Sequence, residues 1–332
     1  MTEALHEEQP GSMWLMLATQ RKRMSIAARR MLSHGGQLAL RGVPDLTLDF
    51  VVRLAHGALL AQGAESWTSQ LAGHRAHRYA LKGRRADGRP ALLLHGLGGS
   101  ASSMAPVLPA VLQHAPRAVM LELPGHGRSP EPSAGALAAR DYAAVVIAAL
   151  EELVREHGGR KAVLVGNSLG GALSLYTANH RPDLVAGVVG LNPAGAELSE
   201  EALAVLPRRF DDLSQGAAHM ARLLFAKTPW AFWLVARDYA RRWGSPTVQR
   251  VLDDARSGAD RALGLPVLTD IRVPVVVAWG AEDRLLPRSS IDDFARIARA
   301  RVVLIPRCGH IPQLEKPART RRVVSEFFAS LS

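Results

Sequence analysis

The chain has 332 residues, 48% of them hydrophobic, enough to bury a substantial core in one large α/β domain and too apolar for a disordered chain. Its single cysteine, Cys308, excludes an intrachain disulfide framework. The formal net charge of +11 comes from arginines spread along the chain, and without a helix-turn-helix, zinc-finger spacing or RNP aromatic pattern it does not point to nucleic acid.

Residues 1–75 are expected to form a helical, basic N-terminal extension. No acid occurs between Glu8 and Asp45, whereas Arg21, Lys22, Arg23, Arg29, Arg30 and Arg41 alternate there with Met24, Ile26, Met31, Leu32, Leu38 and Leu40. Such a basic amphipathic segment suits peripheral contact with an anionic membrane, or docking on its own domain. The apolar run Met13–Leu17 precedes its basic cluster, the reverse of a secretory signal. No stretch reaches the roughly 18 uninterrupted apolar residues of a membrane span, and a cytoplasmic location is the expectation.

From Tyr79 onward, short β-like runs alternate with helix-length segments, the pattern of a mainly parallel, doubly wound sheet. Strands are expected at 91–95, 118–123, 162–166, 185–192, 274–280 and 301–306. Helices are expected at 141–157, 169–180, 290–300 and 317–331. Between Pro193 and Pro266 no strand is evident, and 221–243 reads as helical and aromatic. The division is therefore a core of residues 76–193 and 266–332 with a helical cap at 194–265.

The stretch Val163–Tyr176 (VLVGNSLGGALSLY) runs from a strand into a helix with Ser168 at the bend. Gly166 and Gly170 lack the β-carbons that would collide there, and the serine oxygen is held beside the positive end of a helix. "GNSLG" matches the G-x-S-x-G nucleophile elbow, and on these residues the sequence resembles the α/β-hydrolase superfamily. Four further motifs in chain order strengthen it: "LLLHGLGGSA" (92–101), "ELPGHGRS" (122–129), "WGAEDRLLP" (279–287) and "PRCGHIPQLEKP" (306–317).

The resemblance implies the α/β-hydrolase fold over residues 75–332 and a triad of Ser168 as nucleophile, Asp283 as orienting carboxylate and His310 as base. Some relatives carry the acid after the preceding strand, but Asn192 stands there and cannot ionise. The oxyanion donors implied are the backbone N–H groups of Leu97 and Leu169. His95 is read as bracing the oxyanion loop and His126 as shaping a turn. Within the cap, Trp230, Trp233 and Arg237 are candidate substrate contacts on one helical face. The histidines show no metal-ligand spacing, so no metal and no cofactor is expected.

The resulting expectation is a serine hydrolase of apolar carboxylic esters or thioesters. Carbon–carbon bond hydrolysis of vinylogous diketones is the alternative, and a binding scaffold without catalysis is disfavoured because all three triad residue types are present.

Overall fold

The computed structural model describes residues 47–133, 135–196, 204, 209–257 and 268–331. The first helix, α1 (Leu48–Ala61), is capped by Thr47, whose hydroxyl accepts the Phe50 N–H at 3.1 Å. A hairpin follows, β1 (Glu65–Leu71) and β2 (His74–Lys82), joined through Ala72 and Gly73, both at positive φ (46° and 82°). The helical expectation through residue 75 is corrected here. Residues 65–71 are a mostly polar edge strand whose pairing with β2, not apolar content, makes it a strand. The part of that expectation covering residues 1–46 lies outside the described residues.

The chain continues through β3 (Ala91–Leu94), a 3-10 turn (101–107), α2 (Leu108–His114), β4 (Arg117–Glu122), α3 (Ala139–Glu156), β5 (Ala162–Asn167), α4 (Leu169–His180) and β6 (Val185–Leu191). Next come α5 (Leu213–Leu224), a 3-10 turn (230–234), α6 (Ala236–Trp243) and α7 (Pro246–Ser257). β7 (Val275–Gly280), α8 (Ser290–Ala295), β8 (Ala300–Ile305), α9 (Pro312–Glu315) and α10 (Pro317–Ala329) complete the order. The helix expected to reach residue 300 stops at Ala295, because Ala300 already pairs with Val275 in the sheet.

Strand order is β1-β2-β4-β3-β5-β6-β7-β8, with β1, β2 and β4 antiparallel and the remaining pairings parallel. Every residue of β3, β5 and β7 is buried, as continuous Val/Leu/Ala runs require of strands covered on both faces. Alternate side chains supply two cores: Leu92, Leu94 and Leu164 pack under α3 and α4, while Leu93, Val163 and Val165 pack under α2 and α10. α1 lies on the second face through Leu59. A third apolar cluster, including Leu224, Phe225, Phe232, Trp243, Val248 and Leu252, belongs to the helices between β6 and β7.

The parallel register pairs Leu94 with Gly166, Asn167 with Leu191, Leu191 with Ala278, and Gly280 with Ile305. His95, Ser168, Asn192, Asp283 and His310 therefore all follow strands at the carboxyl rim, where open parallel sheets bind ligands.

Candidate active site

Ser168 occupies a backbone conformation of φ 52° and ψ −117° between β5 and α4. Such strain persists only where the surroundings enforce it. A Cβ on Gly166 would lie 2.1 Å from the Gly170 carbonyl oxygen, and one on Gly170 would lie 2.4 Å from that of Leu94. The turn can close only because both positions are glycine. Backbone bonds then fix the serine, whose N–H donates to Leu191 O at 3.1 Å and whose carbonyl accepts Ala172 N–H and Ala194 N–H at 3.0 Å.

Asp283 and His310 meet at 2.8 Å through Oδ2 and Nδ1, both side chains almost fully buried. The other Asp283 oxygen accepts the N–H groups of Leu285 at 2.8 Å and Leu286 at 3.1 Å. A carboxylate so held accepts the hydrogen bond of Nδ1–H, leaving Nε2 as the lone-pair nitrogen. That Nε2 is buried and makes no hydrogen bond among the described residues. The backbone carbonyl of His310 accepts the side-chain N–H of Asn167, Ser168's neighbour, at 3.2 Å. The His310 loop and the Ser168 turn thus share a wall.

Asn192, which cannot ionise, holds Asp283 in place. Its Nδ2 donates to Asp283 Oδ2 at 2.6 Å, and its Oδ1 accepts Gly280 N–H at 2.9 Å.

The loop after β3 closes the other side. A Cβ on Gly96 would lie 3.2 Å from the Ser168 Cβ, so Leu97 follows immediately beside the serine. Leu169 opens α4, where the leading N–H groups have no partner within the helix. His95 Nε2 accepts Leu123 N–H at 3.1 Å, so its Nδ1 carries the proton and donates to Gly96 O at 2.8 Å. Burial pushes its pKa down to about 4, which keeps that tautomer neutral. Glu122, also buried, accepts Ala101 N–H at 3.2 Å and Arg128 N–H at 2.5 Å and so ties this loop to the 124–129 turn. Burial pushes its pKa up to about 7 against those two donors. His126 is fully buried in that turn, donating from Nδ1 to Pro124 O at 3.0 Å.

A sequence profile described as the alpha/beta hydrolase fold matches residues 90–317. The chain belongs to the α/β-hydrolase family. The protein is a hydrolase of that family, and the chain is 27% identical over 274 residues to monoacylglycerol lipase ABHD6 of Bos taurus, covering 76% of this chain and 79% of that one. The solved structure of a bacterial membrane phospholipase A superposes with a TM-score of 0.67 at 21% identity, covering 96% of both chains. That of 2-hydroxy-6-oxo-6-phenylhexa-2,4-dienoate hydrolase from Rhodococcus sp. strain RHA1 gives a TM-score of 0.66 at 21% identity, covering 80% of this chain and 99% of that one. These two likenesses establish the shared fold.

Over the rim of this α/β-hydrolase sit the helices α5 to α7. Leu224 O, at the end of α5, accepts the His310 N–H at 2.8 Å. Glu315 accepts Gly309 N–H at 2.7 Å, Ala226 N–H at 3.2 Å and Lys227 N–H at 2.9 Å, a three-point clasp between the histidine loop and the cap. Arg242 donates to Gly125 O at 3.1 Å, and Thr247 to Glu131 at 2.6 Å. Tyr239 comes down on the loop after β3, its hydroxyl 3.8 Å from where a Cβ on Gly98 would stand.

Of the expected cap contacts, Trp233 packs with Leu97, Tyr239 and Ile311 against the cap's apolar cluster, and Trp230 is half-buried. Arg237 stands within electrostatic reach of Asp212, the N-cap of α5. Asn192 and Glu315 carried no role in the sequence reading. The signal available for Asn192 was its place directly after β6, where some relatives of the family carry the acid and a non-ionising amide stands here. Among the described residues no group of side chains is arranged to hold a metal.

Proposed function

We propose that this hydrolase cleaves carboxylic esters or thioesters with apolar acyl groups through an acyl-enzyme on Ser168. The observation that carries the reading is the buried Asp283–His310 pair, whose unpartnered Nε2 lies at the same rim as the strained Ser168 elbow. Ser168 Oγ attacks the carbonyl carbon as Nε2 takes its proton, and the Leu97 and Leu169 N–H groups receive the oxyanion. Collapse of the intermediate expels the alcohol or thiol, which takes the proton from His310. Water, deprotonated by the same nitrogen, then attacks the acyl carbon and releases the acid, restoring Ser168.

Leu97, Trp233, Tyr239 and Ile311, clustered between the oxyanion loop and the cap, favour an apolar acyl chain, and the likeness to a monoacylglycerol lipase points the same way. The test is turnover of p-nitrophenyl esters of increasing chain length by the wild-type protein and by Ser168→Ala, together with fluorophosphonate labelling. Turnover and labelling that both vanish in Ser168→Ala, with the fold intact, support the reading. Retained turnover in Ser168→Ala, or cleavage of a vinylogous diketone but of no ester, overturns it.

A further inference from the structure

The exposed large apolar side chains among the described residues are Phe50, Leu54, Leu60 and Leu304, and the first three lie on α1. This helix buries Val52, Ala55 and Leu59, the last in the core on the sheet's second face, yet its opposite side carries Phe50, Leu54 and Leu60 with Gly57 and Ala61, all exposed. So much exposed apolar surface on one helix face calls for an apolar medium on its outer side. At 14 residues it is about 21 Å long, too short to span a bilayer. It can only lie along one.

We infer that the outer face of α1, Phe50, Leu54 and Leu60 with Arg53 between them, docks on an anionic lipid bilayer. Charge selects this occupant. Arg53 is exposed within the stripe and Arg128 is exposed close enough for its charge to act on His56 of the same helix, while α1 itself carries one acid, Asp49. The sequence leading into α1 carries Arg21, Lys22, Arg23, Arg29, Arg30 and Arg41 with no acid between Glu8 and Asp45, and the whole chain has a net charge of +11. Apolar side chains beside clustered cations are what an interfacial helix presents to anionic headgroups. The stripe offers no amide or hydroxyl side chain that would specify a protein partner.

The placement of α1 links this surface to the rim. Its first N–H, that of Leu48, donates to Asp238 at 2.8 Å, and the next cap residue is Tyr239, which covers the oxyanion loop. The helix also packs on the 3-10 turn (101–107) that continues that loop. A bilayer held by α1 therefore lies beside the cap, and on the serine-esterase reading above the substrate would be an acyl lipid drawn from that bilayer.

Binding is read without turnover by using full-length Ser168→Ala protein and co-sedimentation with phosphatidylcholine vesicles, with and without a minority of phosphatidylglycerol. Failure of the esterase reading leaves this measurement untouched. The expected result is sedimentation that depends on phosphatidylglycerol and weakens with salt. The triple variant Phe50→Gln, Leu54→Gln, Leu60→Gln should lose about tenfold or more in vesicle affinity, and Arg53→Glu should weaken the anionic preference, both with an unchanged circular dichroism spectrum. Binding of the triple variant equal to that of its parent overturns the inference, as does indifference to both vesicle types. A lipid-free dimer that the triple variant converts to monomer would instead make a second copy the occupant. Vesicle binding that increases when residues 1–46 are deleted would assign the face to the chain's own leading segment and overturn it too.

Discussion

The amide of Asn192 donates to the Asp283 carboxylate at 2.6 Å while its own carbonyl accepts Gly280 N–H at 2.9 Å, so a side chain just past β6 sets the rotamer of the carboxylate that follows β7. Asn192 holds φ 40°, a conformation asparagine and glycine tolerate and other residues resist. Asn192→Gly keeps the backbone and deletes both bonds. A hydrogen bond to a charged group contributes about 1.5–3 kcal/mol, so kcat on a short ester is expected to fall about 10- to 100-fold with KM little changed. Unchanged kcat would reduce Asn192 to a packing residue.

Asp283→Asn tests the pair itself. An amide facing Nδ1 favours the wrong imidazole tautomer, with the proton on Nε2, where the base must be free. Steady-state kinetics should show kcat lower by about three to four orders of magnitude, with thermal stability near that of the parent. Full activity in this variant would mean that another group orients His310.

Glu315 serves three backbone N–H groups, Gly309, Ala226 and Lys227, from one carboxylate. Glu315→Ala leaves those donors unpaired and loosens the cap's hold on the histidine loop, at a cost of about 2–3 kcal/mol. The expected signature is faster proteolysis around residues 225–230 together with lower kcat/KM. A cap that resists protease as before would show that the remaining ties, His310 N–H to Leu224 O, Arg242 to Gly125 and Thr247 to Glu131, suffice.

At the elbow there is no room for even one carbon. Gly166→Ala would drive a Cβ to 2.1 Å from Gly170 O, backbone against backbone, which no rotamer change relieves. A loss of about 3 kcal/mol or more is expected, read as a lowered urea midpoint or failure to express folded protein. Normal stability would mean that α4 can shift away from β5.

What the sequence made legible was the part with strong local signals. The buried strands β3, β5 and β7 are unbroken apolar runs, and the elbow combines those runs with glycines that only a tight crossing needs. β1 was illegible because Glu65, Ser66, Thr68, Ser69 and Gln70 carry no apolar alternation, and the strand forms through its partner, each residue from Glu65 to Leu71 pairing across to β2. The bonds that Asn192 and Glu315 make were unreadable for a related reason. Their roles depend on contacts to residues 91 and 89 positions away, Asp283 and Ala226, and no local pattern marks such a contact.

Buried histidines give the last expectation, a fall in stability on mild acidification. Burial first, with Arg128 and His56 adding to it, pushes His77 from 6.5 to about 4. His95 is likewise held at about 4, and burial with the neighbouring His95 takes His126 to about 3. Above about pH 6.5 these three are neutral in both states; as pH falls towards 4 the unfolded chain takes up protons that the native protein refuses, so stability is lost across that window. Glu122 works the other way, since its pKa, raised from 4.5 to about 7, lets the native state keep a proton that the unfolded chain has released. Three histidines against one carboxyl leave a net loss. Thermal melts should therefore give a lower Tm at pH 5 than at pH 7.5. His77→Gln, which can still bond Ser66 and Thr68 but cannot take a proton, should flatten the slope. A Tm that rises on acidification would mean that the Glu122 proton outweighs all three imidazoles.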